Sequence, residues 1–264
     1  MNKKFPTYIK ISEETQRILK EMRKICLRNK ETDEVDELMF YLVGNINLRI
    51  NTIFHLLENN ITDGVLPLQR TLFELQVAFD AFANAEDKNA YVKLFNKKRD
   101  FETTNKLNKF FQIDNEVIKT IADSEETDLL SQFKNKALEQ IKSEKLEGRR
   151  PEFKQWYELA SGKNLFDLSV EFHELYYYPC YDEPSNWVHP QRIKENMDIE
   201  TFNQQMPYYS LMIGAINWSI MELLNNIALL ADYYNITEID SLCEYGESII
   251  EVSKQLRLLL GIEN

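Results

Sequence analysis

The sequence predicts an all-α fold, an irregular bundle of about eight to ten helices, on three observations. Gly and Pro number only seven each in 264 residues, too few for an all-β chain with a turn every ten residues or so. Long stretches contain neither. Apolar residues recur at alternating spacings of three and four, the period of a helix with one buried face.

Each element follows from local signals. Ser12 before Glu13 and Glu14 reads as an N-cap with acids in the first turn, opening a basic-faced surface helix over 12–29. A second helix is expected from Asp33 to Asn59. A third follows the turn Thr62-Asp63-Gly64 and runs to about Ala85, with Leu68, Leu72, Leu75, Phe79 and Phe82 as its core stripe. Helical spacing continues through 87–111, 115–122 and 128–146, a strongly charged stretch expected to form a helical hairpin. Gly148-Arg149-Arg150-Pro151 and Ser161-Gly162-Lys163-Asn164 are breaks. A helix over 165–178, a proline-punctuated segment over 178–190, and helices over 201–234 and 238–260 complete the chain. We expect one domain, 1–264, with its core over about 35–234 and no convincing strand.

Composition narrows function. The 31 basic and 43 acidic residues give a net charge of −12, which on average repels phosphate backbones and anionic membranes. Cys26, Cys180 and Cys243 are scattered and odd in number, so neither a disulfide framework nor a zinc site is expected, which fits a reducing, cytoplasmic setting. The first residues, MNKKFPTYIKISEE, lack the apolar core of a signal peptide. The apolar stretch 208–231 carries Asn217, Glu222, Asn225 and Asn226, costly in a bilayer, and reads as a buried helix. No P-loop, GxGxxG, GxSxG or HExxH pattern occurs; His173-Glu174 lacks a zincin's second histidine. No metal or cofactor is expected. The acid pairs Glu125-Glu126 and Asp182-Glu183 read as solvated.

Two places could carry chemistry. Arg70 shares a helical sector with Leu66, Phe73, Val77 and Ala81, opposite the core stripe, while Gln69, Gln76 and Asp80 occupy another sector. Arg70 is therefore expected to be largely buried and paired with Glu74 one turn on, as a structural ion pair or an anion-handling one. Then Tyr177, Tyr181, Ser185 and His189 recur every four residues. In a helix they would share one face. Pro179, Pro184 and Pro190 make the helix irregular. His189 is the candidate acid or base, with Arg70, Glu74 and Ser185 as its catalytic companions and Tyr177 and Tyr181 as binding groups. The alternative is a hydrogen-bonded aromatic corner.

The stretch QRTLFELQVAFDAF, Trp156, and the Tyr177, Tyr181, Ser185, His189 ladder together resemble a bacterial all-helical family known as a domain of unknown function. The resemblance spans roughly 40–230. It implies a helical fold and points to Arg70, Glu74, Tyr181, Ser185 and His189, without implying a reaction. Separately, Arg49 to His55, RINTIFH, fits the loose Arg-x(4–6)-His signature of HEPN ribonucleases, although a six-residue offset in a helix parts the side chains by about 120°. Two functions follow: a non-catalytic helical module for a ligand or partner, or a HEPN-like ribonuclease, toxin or phage-defence effector. A protein or small-molecule partner, RNA and self-association all stay open, and no membrane partner is expected.

Overall fold

The computed structural model describes residues 5–29, 31–59, 61–62, 64–111, 128–129, 131–136, 139, 153–188, 197–198, 200, 203–204, 209–237, 239 and 241–261. The fold is all-α. Helices α1 (Ile9–Asn29), α2 (Glu34–Glu58), α3 (Val65–Ala83) and α4 (Lys88–Phe111) are followed by α5 (Trp156–Ser161) and α6 (Leu165–His173). Beyond α6 the backbone tightens to a 3₁₀ turn, Glu174–Tyr176, widens to a π turn, Tyr178–Asp182, and resumes as α7 (Glu183–Val188). Helices α8 (Tyr209–Tyr233) and α9 (Leu242–Leu259) come last. A two-residue antiparallel ladder pairs Met197 with Gln204 and Asp198 with Asn203, too short to alter the class.

Several boundaries move for identifiable reasons. Helix α1 starts at Ile9, so Ser12 lies a turn inside it and is no N-cap; its N–H is already bonded to the Tyr8 carbonyl. Asp33 does cap α2, in a reciprocal capping box with Asp36. The expected helix over 201–234 begins only at Tyr209, because residues 203–204 are extended in the ladder. It ends where Asn235 adopts a left-handed φ of 52° and the Ile236 N–H returns to the Ala231 carbonyl, a Schellman-type stop. Gly162, at φ 72°, stops α5 as the Ser161–Asn164 break foretells. Of the stretch 87–146 expected to form a charged helical hairpin, α4 and residues 131–136 are helical, whereas 112–127, with the expected helix over 115–122, and 140–152 lie outside the described residues.

The chain divides into two compact units, Met1–Asp80 with Leu168–Asn264, and Ala81–Asp167. In the first, α1 packs on α2 and α9, and α8 packs on the same two helices. Tyr8, Ile18, Met22, Met39, Ile46 and Ile50 fill the space between them and are buried. Each fully buried side chain of this size stabilises by roughly 1.5–3 kcal/mol. Helix α8 is long and apolar enough to cross a bilayer by length and composition, and 56% of its apolar window is buried within the fold. In the second unit α4 packs on α5. Trp156 meets Phe82, Tyr91 and Phe95 edge-on, with ring centroids 6.3, 6.2 and 5.3 Å away, over a core of Leu94, Phe101 and Leu159.

Candidate functional site

The buried arc of α3 differs from the expected one. Leu72, Gln76, Gln69, Asp80, Phe73 and Val77 are all buried, and on the 100° wheel the polar positions stand at the centre of that arc. Two of them bond α8, and the Gln69 carbonyl oxygen is left buried without a hydrogen-bond partner among the described residues. Gln69 Nε2 donates to Ser219 Oγ at 2.9 Å. Gln76 and Asn226 exchange amide bonds at 3.0 and 2.8 Å. Both contacts join residues 150 positions apart, so α3 and α8 run parallel and repeat the contact every two turns. Gln76 Nε2 also reaches Asp80 Oδ2 at 3.0 Å.

Asp80 continues this seam to His173, whose Nε2 lies 2.6 Å from Asp80 Oδ2. With the carboxylate accepting, the proton of this bond is carried by Nε2. The imidazole ring is walled by Phe73 and Trp218, with centroids 6.4 and 5.0 Å away. Glu222, also on α8, stands near enough for burial to raise its pKa, an effect that Asp80 reinforces and His173 opposes. Nothing local in the sequence signals this role for His173, because its partner Asp80 lies 93 positions away. Among the described residues no group of three or more His, Cys, Asp or Glu side chains is placed to hold a metal.

Arg70 and Glu74 do pair, at 3.3 Å, but their side chains are 33% and 31% exposed, so the pair is half-buried and not the enclosed pair expected. The reason is the shift of the buried arc towards Gln69 and Asp80, which swings Arg70 to its edge. There Arg70 Nη2 donates to the Tyr181 hydroxyl at 3.3 Å, and its guanidinium carbon stands 5.0 Å from the Tyr181 ring centroid, a cation–π contact. The structure thus joins Arg70, Glu74 and Tyr181 across 111 positions of sequence.

The irregular segment shows how Pro179 and Pro184 coexist with a helical ladder; Pro190 lies outside the described residues. Pro179 lies at the start of the π turn, where a missing N–H costs least. The Glu183 N–H then bonds the Tyr178 carbonyl, five residues back, a widened turn of the kind that absorbs an irregular helix. Pro184 sits in the first turn of α7. Tyr177 and Tyr181 stay adjacent, centroids 5.3 Å apart, and both lean on Phe73. Burial raises the Tyr177 pKa, helped by Tyr181 and Asp182 and opposed by Arg70. Ser185 Oγ donates to the Tyr181 carbonyl at 2.6 Å, so its hydroxyl closes a helical turn. His189 lies outside the described residues.

Of the acid pairs read as solvated, Asp182 is exposed whereas Glu183 is buried. Its carboxylate accepts from Trp187 Nε1 at 3.1 Å and from the Tyr178 hydroxyl at 3.4 Å; Glu125 and Glu126 lie outside the described residues. Cys180 is buried beside Gln69, and burial drives its thiol pKa well up, leaving it unreactive. Arg49 is engaged with Asn45 at 3.1 Å and His55 is exposed on the same helix.

A model for a family described as "Family of unknown function (DUF5677)" matches residues 36–205. No curated protein and no solved structure matches the chain. The HEPN resemblance finds no support.

Proposed function

The chain belongs to the DUF5677 family of unknown function, and we propose that it works as a helical binding module for a polypeptide partner, with the face around Arg70 and Tyr181 as its working surface. The observation that carries this reading is the engagement of the candidate catalytic groups with one another. Arg70 is held by Glu74 and Tyr181, and the Ser185 hydroxyl bonds the backbone of its own helix. A phosphoester-handling site needs a cation free to meet developing charge and a hydroxyl beside a base.

Exposed apolar side chains on the same segment support a protein partner. Leu175 is 83% exposed, and Tyr178 and Val188 are exposed as well. Rigid aromatic and aliphatic groups of this kind anchor interfaces, whereas the net charge of −12 disfavours RNA. A cytoplasmic setting belongs to the same reading, favoured by the scattered cysteines and by the polar contacts that α8 makes inside the fold.

The test combines thermal melting with RNA cleavage and cell toxicity for the wild type, Ser185→Ala, His189→Ala and Leu175→Asp/Tyr178→Asp. The wild type is expected not to cleave RNA, and the two alanine variants to melt and behave as it does. Any cellular effect should be lost in the doubly substituted, still folded variant. Cleavage or toxicity abolished by His189→Ala in a folded protein would overturn the reading in favour of a phosphoester-handling effector.

A further inference from the structure

Two exposed helix faces of opposite charge lie on the first compact unit. On α1, Lys20, Lys24 and Arg28 repeat every four residues along one outer face, beginning one turn after Arg17. On α9, Glu244, Glu247 and Glu251 repeat at three and four, with Lys254 ending the row one turn further along the same face. At 1.5 Å per residue the basic row is about 12 Å long and the acidic row about 10 Å. Arg17 is engaged at home, with Glu14 at 2.6 Å and Glu21 at 2.8 Å.

The two rows belong to neighbouring antiparallel helices. Thr15 Oγ1 meets the Tyr245 hydroxyl at 2.9 Å, and Arg17 bonds Ser241, so later residues of α1 meet earlier residues around α9. Lys20, Lys24 and Arg28 therefore continue past the start of α9. Glu244 to Glu251 run the opposite way, alongside the first half of α1. The opposite charges are offset along the helix pair, which keeps them from neutralising each other within one chain. A twofold axis inclined to the helix pair exchanges the two rows, so that α1 of each copy crosses α9 of the other with its basic row against the acidic one.

We propose that this face is an interface between two copies of the chain, with Lys20, Lys24 and Arg28 of each copy against Glu244, Glu247 and Glu251 of the other. The matched lengths and opposite signs favour a second copy over a foreign anion, since one chain supplies both halves of the contact. Charges this exposed act over about a Debye length, roughly 10 Å at 0.1 M salt, so association must be salt-sensitive.

Sedimentation equilibrium of the full chain at low and high salt is the test, with two charge-reversed variants. The wild type should dimerise at about 50 mM salt and weaken by roughly tenfold or more at about 500 mM. K20E/K24E/R28E and E244K/E247K/E251K should each be monomeric, because each presents like charges to its own copy. Mixed together they should form a heterodimer, in which both contacts regain opposite signs. All six positions are exposed, and circular dichroism checks the fold. A wild type monomeric at low salt, a dimer indifferent to salt, or a mixture that fails to associate would each overturn the proposal, as would low-salt sedimentation driven by bound nucleic acid and abolished by nuclease.

Discussion

Two faces of α3 lie side by side and behave in opposite ways. The face of Gln69, Gln76 and Asp80 is polar yet enclosed, each side chain paired with α8 or His173. The face of Arg70 and Glu74 carries full charges yet is half open to solvent. Polarity alone ranks these faces wrongly, because the cost of burying a polar group depends on whether a partner waits for it. Amides and a His–carboxylate pair find most of their partners on neighbouring helices in register, with the Gln69 carbonyl oxygen as the exception. An Arg–Glu pair gains less from enclosure and keeps its contact with water.

The largest expected effect breaks the enclosed face. Asp80→Ala leaves the Gln76 amide and the His173 ring without their shared acceptor, and should lower unfolding free energy by about 2–4 kcal/mol in urea titration. A loss below about 1 kcal/mol would show that water enters the seam.

Next is Arg70→Ala. The half-exposed pair predicts a loss of about 1 kcal/mol, well short of the about 3–5 kcal/mol that breaking an enclosed pair costs. Measuring both substitutions in one denaturation series compares the two faces directly; an Arg70 effect larger than the Asp80 effect would reverse their ranking.

The smallest effect has the opposite sign. Burial raises the Glu222 pKa in the folded state, so the folded chain holds that proton more tightly than the unfolded one. This favours folding at pH values below the ordinary glutamate range and is lost as pH rises through the raised folded value. Glu222→Gln should therefore stabilise by about 0.5 kcal/mol at pH 7, allowing for solvent screening of a partly exposed group. The gain should vanish towards pH 4. Equal stability curves for both proteins across that range would remove the argument.

The same contrast explains what the sequence made legible. Helix class and the Arg70–Glu74 pair follow from contacts within four residues, which spacing reports well. The seam depends on a partner 150 positions away. Its trace was nonetheless present: Ser219 and Asn226 stand seven apart in an apolar helix, as Gln69 and Gln76 do in α3. Asn226 stood out only as a group costly in a bilayer, and that cost is what a buried partner offsets. The Tyr181 contact to Arg70 was harder to foresee, because it relies on a π turn that prolines at 179 and 184 suggest only as irregularity.

The account stands on the parallel register of α3 and α8. A double-mutant cycle on Gln76→Leu and Asn226→Leu, read by chemical denaturation, tests it most directly. Each single change leaves a buried amide unpaired and should cost about 2 kcal/mol. The double change removes both amides and should cost clearly less than the sum, a coupling of about 1–2 kcal/mol. Additive losses, with coupling near zero, would contradict the pairing of these two helices.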